Sequence, residues 1–260
     1  MIDRQLSNLK PLVVDTATYS SRYYRISSDL LFMQRSHFWQ SPASEIDAFP
    51  DLWTLTFCDF EPGQVALRAR GKVLPLIGKN IVFIPKFNLV EWILGTGHLN
   101  WSCILSKNDP PTTAPRTACV FPWPKNLDIL NPTDVLNWLQ NANALLPIDK
   151  MDKSSVVAER TKQEIDQNFK QSFKIGDVAK KLGYHHSVMD REFKSCFGIS
   201  PLTYRNRLRV FEAQSLLLFQ SLDVSQTAQT VGFCDSSQLS HHYRSLIKAS
   251  PSLFRPLKTD

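Results

Sequence analysis

The chain has 260 residues, 43% of them hydrophobic, and a formal net charge of +6 at pH 7. This length is enough for two domains, taking about 150 residues per domain as a guide. No apolar run approaches the roughly 18 residues of a membrane helix, and the N-terminus lacks the apolar core of a signal peptide. We therefore expect a cytoplasmic protein that does not associate with membranes.

The positive charge is concentrated in the C-terminal part. Residues 151–260 contain 16 Lys and Arg against 11 Asp and Glu, whereas residues 1–150 contain 14 against 13. Binding to nucleic-acid phosphates requires such a basic region, although a solvated basic face has the same composition.

The cysteines are odd in number, scattered, and never form a C-x-x-C pair. Neither a disulfide framework nor a zinc site is predicted, and we expect reduced thiols in small apolar spaces. The five residues are Cys58, Cys103, Cys119, Cys196 and Cys234.

Short β-strands are predicted from residue 30 onward. Residues 53–57 alternate, with Trp53, Leu55 and Phe57 on one face and Thr54 and Thr56 on the other. Many short strands separated by turn signals are typical of a β-sandwich or small barrel. The other runs are 30–33, 65–70, 73–77, 81–84, 90–94 and 101–105, and the turn signals are 62–63, 71, 78–80 and 95–97.

Aromatic residues are dense in this N-terminal part, and two interpretations are open. They line an apolar pocket for a small effector, or they fill the interior of the sandwich. The two histidines of this part, His37 and His98, are far apart in the sequence and predict no metal site. The aromatic residues are Phe32, Phe38, Trp39, Trp53, Phe57, Phe83, Phe87, Trp92 and Trp101.

Residues 106–126 contain five prolines and predict an irregular surface crossing. Asn131 and Pro132 then predict the N-cap and first position of a helix over 132–146. Its apolar stripe packs on the sandwich or on the same helix of a second copy, which would form a homodimer. Residues 147–155 are predicted to be a linker. The stripe comprises Val135, Trp138, Leu139, Ala142, Leu145 and Leu146.

Residues 156–169 predict a helix with Ser154 or Ser155 as its cap. Two further helices follow, joined by a turn at Gly183, a residue that enters a left-handed cap without steric penalty. Two helices with such a turn are typical of a DNA-binding helix-turn-helix. Predicted inward positions are Ile175, Val178, Ala179 and Leu182 on the first helix and Met189 and Phe193 on the second.

This pattern occurs twice, with a period of 49 to 50 residues. Residues 182–184 return as 231–233, residues 193–194 as 243–244, and residues 200–205 as 250–255. A long helix from Pro201 to about Phe219, with Leu208, Phe211 and Leu218 buried, separates the copies. Two such units can meet successive major-groove segments on one face of a duplex.

The ordered motifs over residues 155–257 resemble the AraC/XylS family of bacterial transcription regulators. The resemblance rests on residues 179–184, 191–194, 198–201, 204, 208–209, 231–233 and 250–255. It implies a seven-helix DNA-binding domain, promoter DNA as partner, and a transcription regulator, for example an activator. Residues 78–85 are similar to the turn and strand of cupin-like sensor domains, which implies an N-terminal domain that responds to a small ligand or a partner.

The resemblance also implies which residues contact DNA. In the first unit they are the exposed residues of the second helix, with Arg191 foremost because a guanidinium can bind guanine O6 and N7 together. The alternative for Arg191 is an ion pair with Glu192 or Glu212. Arg205, Arg207 and Arg209 are predicted to contact phosphate or to form internal ion pairs. The first-unit candidates are His186, Ser187, Asp190, Arg191 and Lys194.

The second unit departs from the family pattern. His241 stands where the family usually has arginine, and Lys248 where it usually has glycine. We therefore expect the first unit to provide most of the affinity. The second-unit candidates are Ser236, Ser237, Gln238, Ser240, His241 and Arg244.

The predicted organisation is an α+β chain in three parts. Residues 1–126 form a β-rich sensor or dimerisation domain, residues 127–153 a helix and linker, and residues 154–260 the DNA-binding domain. One alternative is a regulator whose N-terminal domain mediates only dimerisation or protein interaction. Another is a fusion to a DNA-alkylation-repair methyltransferase, which needs an activated cysteine among clustered thiolates. Because that spacing is missing, we expect no enzymatic activity and no cofactor.

Overall fold

The computed structural model describes residues 6–69, 71–124, 127–128, 130–142, 146–147 and 155–255. The chain divides into two compact units. The sheet unit is Met1–Asp47 with Asp51–Asp149, and the helical unit is Ala48–Pro50 with Lys150–Asp260. The predicted class, a sheet-rich N-terminal domain followed by a helical C-terminal domain, is confirmed. Within the described ranges, no helix has the length and apolar character needed to cross a membrane.

The strands of the sheet unit pair antiparallel in the order β1-β2-β3-β8-β5-β6-β9-β10, and β7 pairs with β4 and β5. Long strands β5 and β6 form the centre of this sheet. The strands are β1 Leu12–Asp15, β2 Tyr19–Arg25, β3 Leu30–Trp39, β4 Ala43–Asp47, β5 Trp53–Ala69, β6 Lys72–Ile84, β7 Val90–Leu94, β8 Gly97–Ser106, β9 Cys119–Pro122 and β10 Leu146–Pro147.

Both faces of the sheet are covered. Trp53, Leu55 and Phe57 belong to one apolar cluster, as their alternation predicts. Thr54 and Thr56 point to the opposite face and are also buried. A second apolar cluster occupies that face and includes residues from both halves of β5. We call the side of Trp53 the helix face, because the helix Pro132–Asn141 packs there, and the side of Thr54 the inner face.

Two of the predicted turns are wrong. β5 continues through residues 62–63, and β6 continues through residues 78–80. The pairing between the two strands shifts register between Phe60 and Val65. A bulge of this kind bends a strand without ending it, so glycine and proline mark a bend at these positions.

The predicted irregular crossing at 106–126 is also wrong in part, since it contains β9. Residues 117–121 lie between the prolines and are apolar enough to be buried, and Cys119, Val120 and Phe121 pair with β6. Proline is tolerated at the end of this strand, where Pro122 lies.

Helix α1, Pro132–Asn141, begins as predicted: the Asn131 side chain accepts hydrogen bonds from the backbone N–H of Thr133 and Asp134. Its predicted extension to 146 is wrong, because Leu146–Pro147 pairs with β9. A residue before proline avoids the helical conformation, which agrees with the extended pairing of Leu146 before Pro147. Residues 143–145 and 148–154 of the predicted stripe and linker lie outside the described residues.

The apolar side of α1 packs on the helix face of its own sheet. Val135 and Leu139 are each 1% exposed, and the Trp138 ring meets Phe121 edge-on with centroids 5.2 Å apart. Of the two alternatives for this stripe, the structure shows packing within the chain. A homodimer through helix 132–146 stays a prediction.

Within residues 155–255, the helical unit contains six α-helices and one 3₁₀ helix. These are the seven helical segments that the resemblance implies. The first helix is capped by Ser155, whose side chain accepts from the N–H of Ala158. The segments are α2 Val156–Asn168, α3 Ile175–Lys181, α4 His186–Phe197, α5 Pro201–Gln220, α6 Val224–Val231, α7 Ser236–Ile247 and the 3₁₀ helix Pro251–Phe254.

Helices α4 and α7 end alike, but with different residues. Each ends in a left-handed C-cap, Gly198 with φ of 74° and Lys248 with φ of 60°. The cap N–H donates to the carbonyl of Lys194 in one case and of Arg244 in the other. An L-residue pays about 1–2 kcal/mol in this conformation, whereas glycine does not.

We therefore expect Lys248→Gly to raise the free energy of unfolding by about 1 kcal/mol. Urea denaturation with linear extrapolation measures this change. The matched control is Gly198→Lys, which should lower stability by a similar amount, because a Cβ at Gly198 meets nothing within 4 Å. A stability loss in Lys248→Gly would contradict the prediction.

Candidate nucleic-acid interface

The first helix-turn-helix consists of α3 and α4. Gly183, with φ of 74°, ends α3, and the Tyr184 N–H donates to the Ala179 carbonyl at 2.9 Å. Val178, Ala179 and Met189 form a buried cluster between the two helices. The predicted inward positions are thereby confirmed, and the opposite side of α4 is left facing solvent.

The five candidates on α4 share that outer side. At 100° per residue, positions 186, 187, 190, 191 and 194 fall within less than half of the helix circumference. His186, Ser187, Arg191 and Lys194 are exposed, and Asp190 is half-buried. The helix therefore presents two cations, one acid, a hydroxyl and an imidazole on a single surface.

Arg191 forms an ion pair with Glu192 at 3.2 Å, whereas Glu212 pairs with Lys170. Lys194 pairs with Asp190 at 2.7 Å, one helical turn away. The Arg191 side chain is 71% exposed, and an ion pair this exposed contributes at most about 1 kcal/mol. The ion pair with Glu192 is therefore easily broken, and the guanidinium can bind a stronger acceptor such as a guanine edge.

The second helix-turn-helix, α6 and α7, repeats this arrangement with less fixed charge. With an offset of 50 residues, His241 lies at the position of Arg191, Ser240 at that of Asp190, and Arg244 at that of Lys194. Ser237, Gln238, His241 and Arg244 are exposed, and Ser236 and Ser240 are half-buried.

His242 follows His241 on α7 and packs beside this second surface. The His242 ring stacks on Phe233 with centroids 5.3 Å apart, and the His241 ring lies 5.5 Å from that of His242. Burial lowers the pKa of His242, and the charges of His241 and Arg209 lower it further. Gln238 also supports the turn, because its Oε1 accepts from the Cys234 N–H at 3.0 Å.

The sequence motifs missed the residue that caps α4. The N-cap is His185, whose Nδ1 accepts from the Ser187 N–H and lies 2.8 Å from the Ser187 hydroxyl. Asp235 occupies the same position before α7 and accepts from the Gln238 N–H. Aspartate is a usual N-cap and histidine is not, so only the second cap carries a recognisable signal.

The predicted role of Arg209 in phosphate contact or ion pairing is wrong, whereas phosphate contact by Arg205 stays a prediction. Arg209 is 5% exposed and donates to the carbonyls of Phe169 and Gln171 at 2.6 and 2.8 Å. Arg205 donates to the Phe173 carbonyl at 2.6 Å. Phe169 is the C-cap of α2, and Gln171 and Phe173 lie in the connection to α3, so these guanidinium groups donate to carbonyls outside the helices. Arg207, the third predicted arginine, is half-buried.

These contacts meet at residues 169–171, which we call the α2 junction. Arg209 of α5 binds two of its carbonyls, and its guanidinium lies 5.6 Å from the Phe233 ring of the second helix-turn-helix. Gly232 approaches so closely that an added Cβ would lie 2.1 Å from the Lys170 oxygen. The α2 junction thus connects α2, α5 and the turn before α7, and it positions the two helix-turn-helix copies relative to each other.

The sheet unit places its two histidines on neighbouring strands but on opposite faces of the sheet. Phe38 pairs with His98 across β3 and β8, and His37 therefore points to the opposite face from His98. Among the described residues, no three His, Cys, Asp or Glu are grouped so that they could hold a metal.

All five cysteines are free thiols. Cys58, Cys103 and Cys119 are buried as expected, whereas Cys234 is exposed, contrary to expectation. Burial raises the pKa of both Cys58 and Cys103 to about 12. Their environment therefore opposes the activated thiolate that a methyltransferase requires.

The aromatic residues of the sheet unit are divided between core and surface. Phe32, Trp53, Phe57 and Phe83 are at most 2% exposed and fill the core, whereas Phe38 is 44% exposed. The half-buried ones are Trp39, Phe87, Trp92 and Trp101.

Comparison with known proteins finds a family model that matches the C-terminal region. Residues 177–256 match the model of a helix-turn-helix domain. The HTH-type transcriptional regulator YisR of Bacillus subtilis is 28% identical over 101 residues, which cover 39% of this chain and 35% of YisR. The Msm operon regulatory protein of Streptococcus mutans is 26% identical over 113 residues, 42% of this chain and 41% of that protein. The match thus spans less than half the length of either relative.

A solved structure is similar over more of the chain. ToxT from Vibrio cholerae aligns with 86% of this chain and 98% of its own, with 12% identity and a TM-score of 0.47. The family match, together with the two helix-turn-helix copies, identifies residues 177–256 as a helix-turn-helix domain of the AraC type.

Proposed function

We propose that the protein is a sequence-specific DNA-binding transcription regulator that acts in the cytoplasm by binding and not by catalysis. The observation that carries this proposal is the pair of polar, exposed helix faces on α4 and α7, repeated 50 residues apart in an AraC-type domain. Recognition helices with such faces bind the major groove. In this proposal residues 154–260 bind promoter DNA, residues 1–126 sense a ligand or partner, and residues 127–153 connect them.

The residue roles follow from exposure and charge. Arg191 and Lys194 supply charge to the first recognition helix, with Arg191 on a guanine edge and Lys194 on phosphate. His186, Ser187 and Asp190 contribute neighbouring polar contacts. The second helix uses hydrogen bonds from Ser236, Ser237, Gln238, Ser240 and His241, and Arg244 provides its phosphate contact.

We expect Arg191→Ala to weaken binding to the cognate promoter by about 5- to 150-fold, because a bidentate contact to guanine contributes about 1–3 kcal/mol of discrimination. Mobility-shift titration at constant salt measures this loss, with DNA from upstream of the protein's own gene as the first target. Scrambled DNA of the same length should show a smaller loss, since it lacks the specific contact.

His241→Ala is the matched control, because His241 occupies the same position on α7 and carries no fixed charge. It should weaken binding several-fold less than Arg191→Ala. Equal affinity of the unchanged protein for promoter and scrambled DNA would refute the proposed function. Equal losses on both DNAs in Arg191→Ala would instead assign Arg191 to phosphate.

A further inference from the structure

The turn of the second helix-turn-helix is one residue longer than that of the first. Residues 183–184 and 232–233 are 49 positions apart, and both turns make the same backbone hydrogen bond to the helix before them. The N-caps of the helices that follow, His185 and Asp235, are 50 positions apart. Cys234 is therefore the additional residue of the second turn.

Gln238 satisfies the backbone N–H of this additional residue. Cys234 is exposed, and its N–H donates to Oε1 of Gln238 at 3.0 Å. In the first copy the corresponding position is Val188, whose side chain has no acceptor, and the shorter turn has no additional N–H to satisfy. A glutamine at position 238 thus follows from the longer turn.

The Cys234 N–H also determines how the Gln238 amide is oriented. An amide oxygen accepts and an amide nitrogen donates, so the atom that faces an N–H must be the oxygen. The backbone of Gln238 is held as well, because its N–H donates to the Asp235 carboxylate at 2.8 Å. Neither of these bonds uses Nε2, so in the described part of the chain the amide nitrogen remains available as a donor.

Gln238 lies at the end of α7 that is expected to read bases. It is the third residue of the helix and is exposed, whereas the next residue, Leu239, is fully buried. At 100° per residue, Gln238 is about 60° from His241 around the helix axis. The first residues of a recognition helix contact base edges in the major groove. The free donor of Gln238 is therefore placed to meet a base edge.

The four bases differ in what they offer to such a donor. In the major groove guanine presents the acceptors O6 and N7 and thymine presents O4, whereas adenine and cytosine present amino groups, which donate. Glutamine usually binds adenine with both atoms of its amide, because the oxygen accepts from N6 while the nitrogen donates to N7. Gln238 cannot do so without losing the hydrogen bond from Cys234.

We propose that Gln238 is a specificity residue of the second recognition helix and selects guanine or thymine over adenine or cytosine at one position of the promoter. The inference rests on the proposed function and deepens it, because it names the bases that one residue of the surface reads. One neutral hydrogen bond separates the two classes of base, so we expect a preference of about 3- to 10-fold at this position.

The test is the selection of bound sequences from a pool of random duplexes by the full chain. The position that Gln238 reads is the one whose base preference is lost in Gln238→Ala, and guanine or thymine should dominate there in the unchanged protein. Gln238→Glu keeps an acceptor for the Cys234 N–H and replaces the free donor with a second acceptor. We expect it to invert the preference toward adenine or cytosine at this position alone, which also identifies the position if Gln238→Ala does not fold.

Gln229→Glu is the matched control, because Gln229 is an exposed glutamine of α6 outside the proposed contacts. It should leave every base preference as in the unchanged protein. Gln238→Glu should melt no lower than the unchanged protein, since a carboxylate is favourable in the first turn of a helix.

The inference is overturned if the position prefers adenine or cytosine in the unchanged protein, or if Gln238→Glu alters no base preference. The second result would mean that Gln238 only supports the turn. If the unchanged protein selects no common sequence from the pool, the proposed function is refuted and the inference with it.

Discussion

Gly232→Ala is expected to lower the free energy of unfolding of the helical unit by about 2–5 kcal/mol, against about 1–2 kcal/mol for Gly183→Ala. The two glycines end the first helix of each helix-turn-helix and have similar backbone angles, with φ of 89° and 74°. The cost of placing alanine in a left-handed conformation is therefore shared. The additional loss of stability at Gly232 comes from the backbone atoms close to it.

At Gly232 an added Cβ would lie 2.1 Å from the Lys170 oxygen and 2.8 Å from its carbonyl carbon. Both atoms are backbone, so the α2 junction itself would have to move. At Gly183 nothing lies within 4 Å of the added atom. Urea denaturation of the two variants measures this difference. Equal losses in the free energy of unfolding would show that the backbone of the α2 junction moves at little cost.

Sequence reasoning succeeded where the relevant interactions are local. The starts of α1 and α2 follow from Asn131 and Ser155, whose side chains bond to N–H groups two or three residues ahead. The turn at Gly183 follows from the conformation that the residue adopts. Such signals involve a few neighbouring residues, so they can be recognised without knowledge of the tertiary structure.

Sequence reasoning failed where distant segments meet. Arg209 looked like a phosphate ligand because its partner is a carbonyl 40 residues away, which no local pattern shows. His37 and His98 lie on the paired strands β3 and β8 but on opposite faces, a placement that the register determines.

The candidate DNA-binding surface could be predicted only in part. Helical periodicity predicted correctly that the chosen residues of α4 share a side, because one helix determines that geometry. Periodicity could not predict the relative placement of α4 and α7. That placement depends on the α2 junction, where contacts join residues about 40 to 60 apart in the sequence.

Arg209→Met is expected to leave the α4 surface intact and to alter the placement of α4 relative to α7. The substitution keeps an apolar stem and removes the donors to the Phe169 and Gln171 carbonyls. Burial lowers the pKa of Arg209 to about 10, so the group is charged at pH 7 and its loss leaves two carbonyls without their charged donor. We expect a stability loss of about 3 kcal/mol, measured by urea denaturation.

The larger consequence concerns DNA. If α4 and α7 occupy successive major-groove segments, about one helical turn apart, their fixed spacing makes the second contact intramolecular. Loosening the α2 junction should therefore weaken binding to a duplex with both half-sites by about tenfold or more, because linkage of two contacts commonly contributes 10²–10⁴ in affinity. Binding to a duplex with the first half-site alone should remain unchanged, since the α4 surface is intact.

Arg205→Met provides the matched comparison, because Arg205 lies one helical turn earlier on α5 and donates to the Phe173 carbonyl, next to the first helix-turn-helix. It should reduce stability without altering the ratio of two-site to one-site affinity. Titrations at a temperature where both variants are folded give this ratio directly. A ratio in Arg209→Met equal to that of the unchanged protein would mean that the α2 junction stabilises the helical unit but does not set the spacing of the recognition helices.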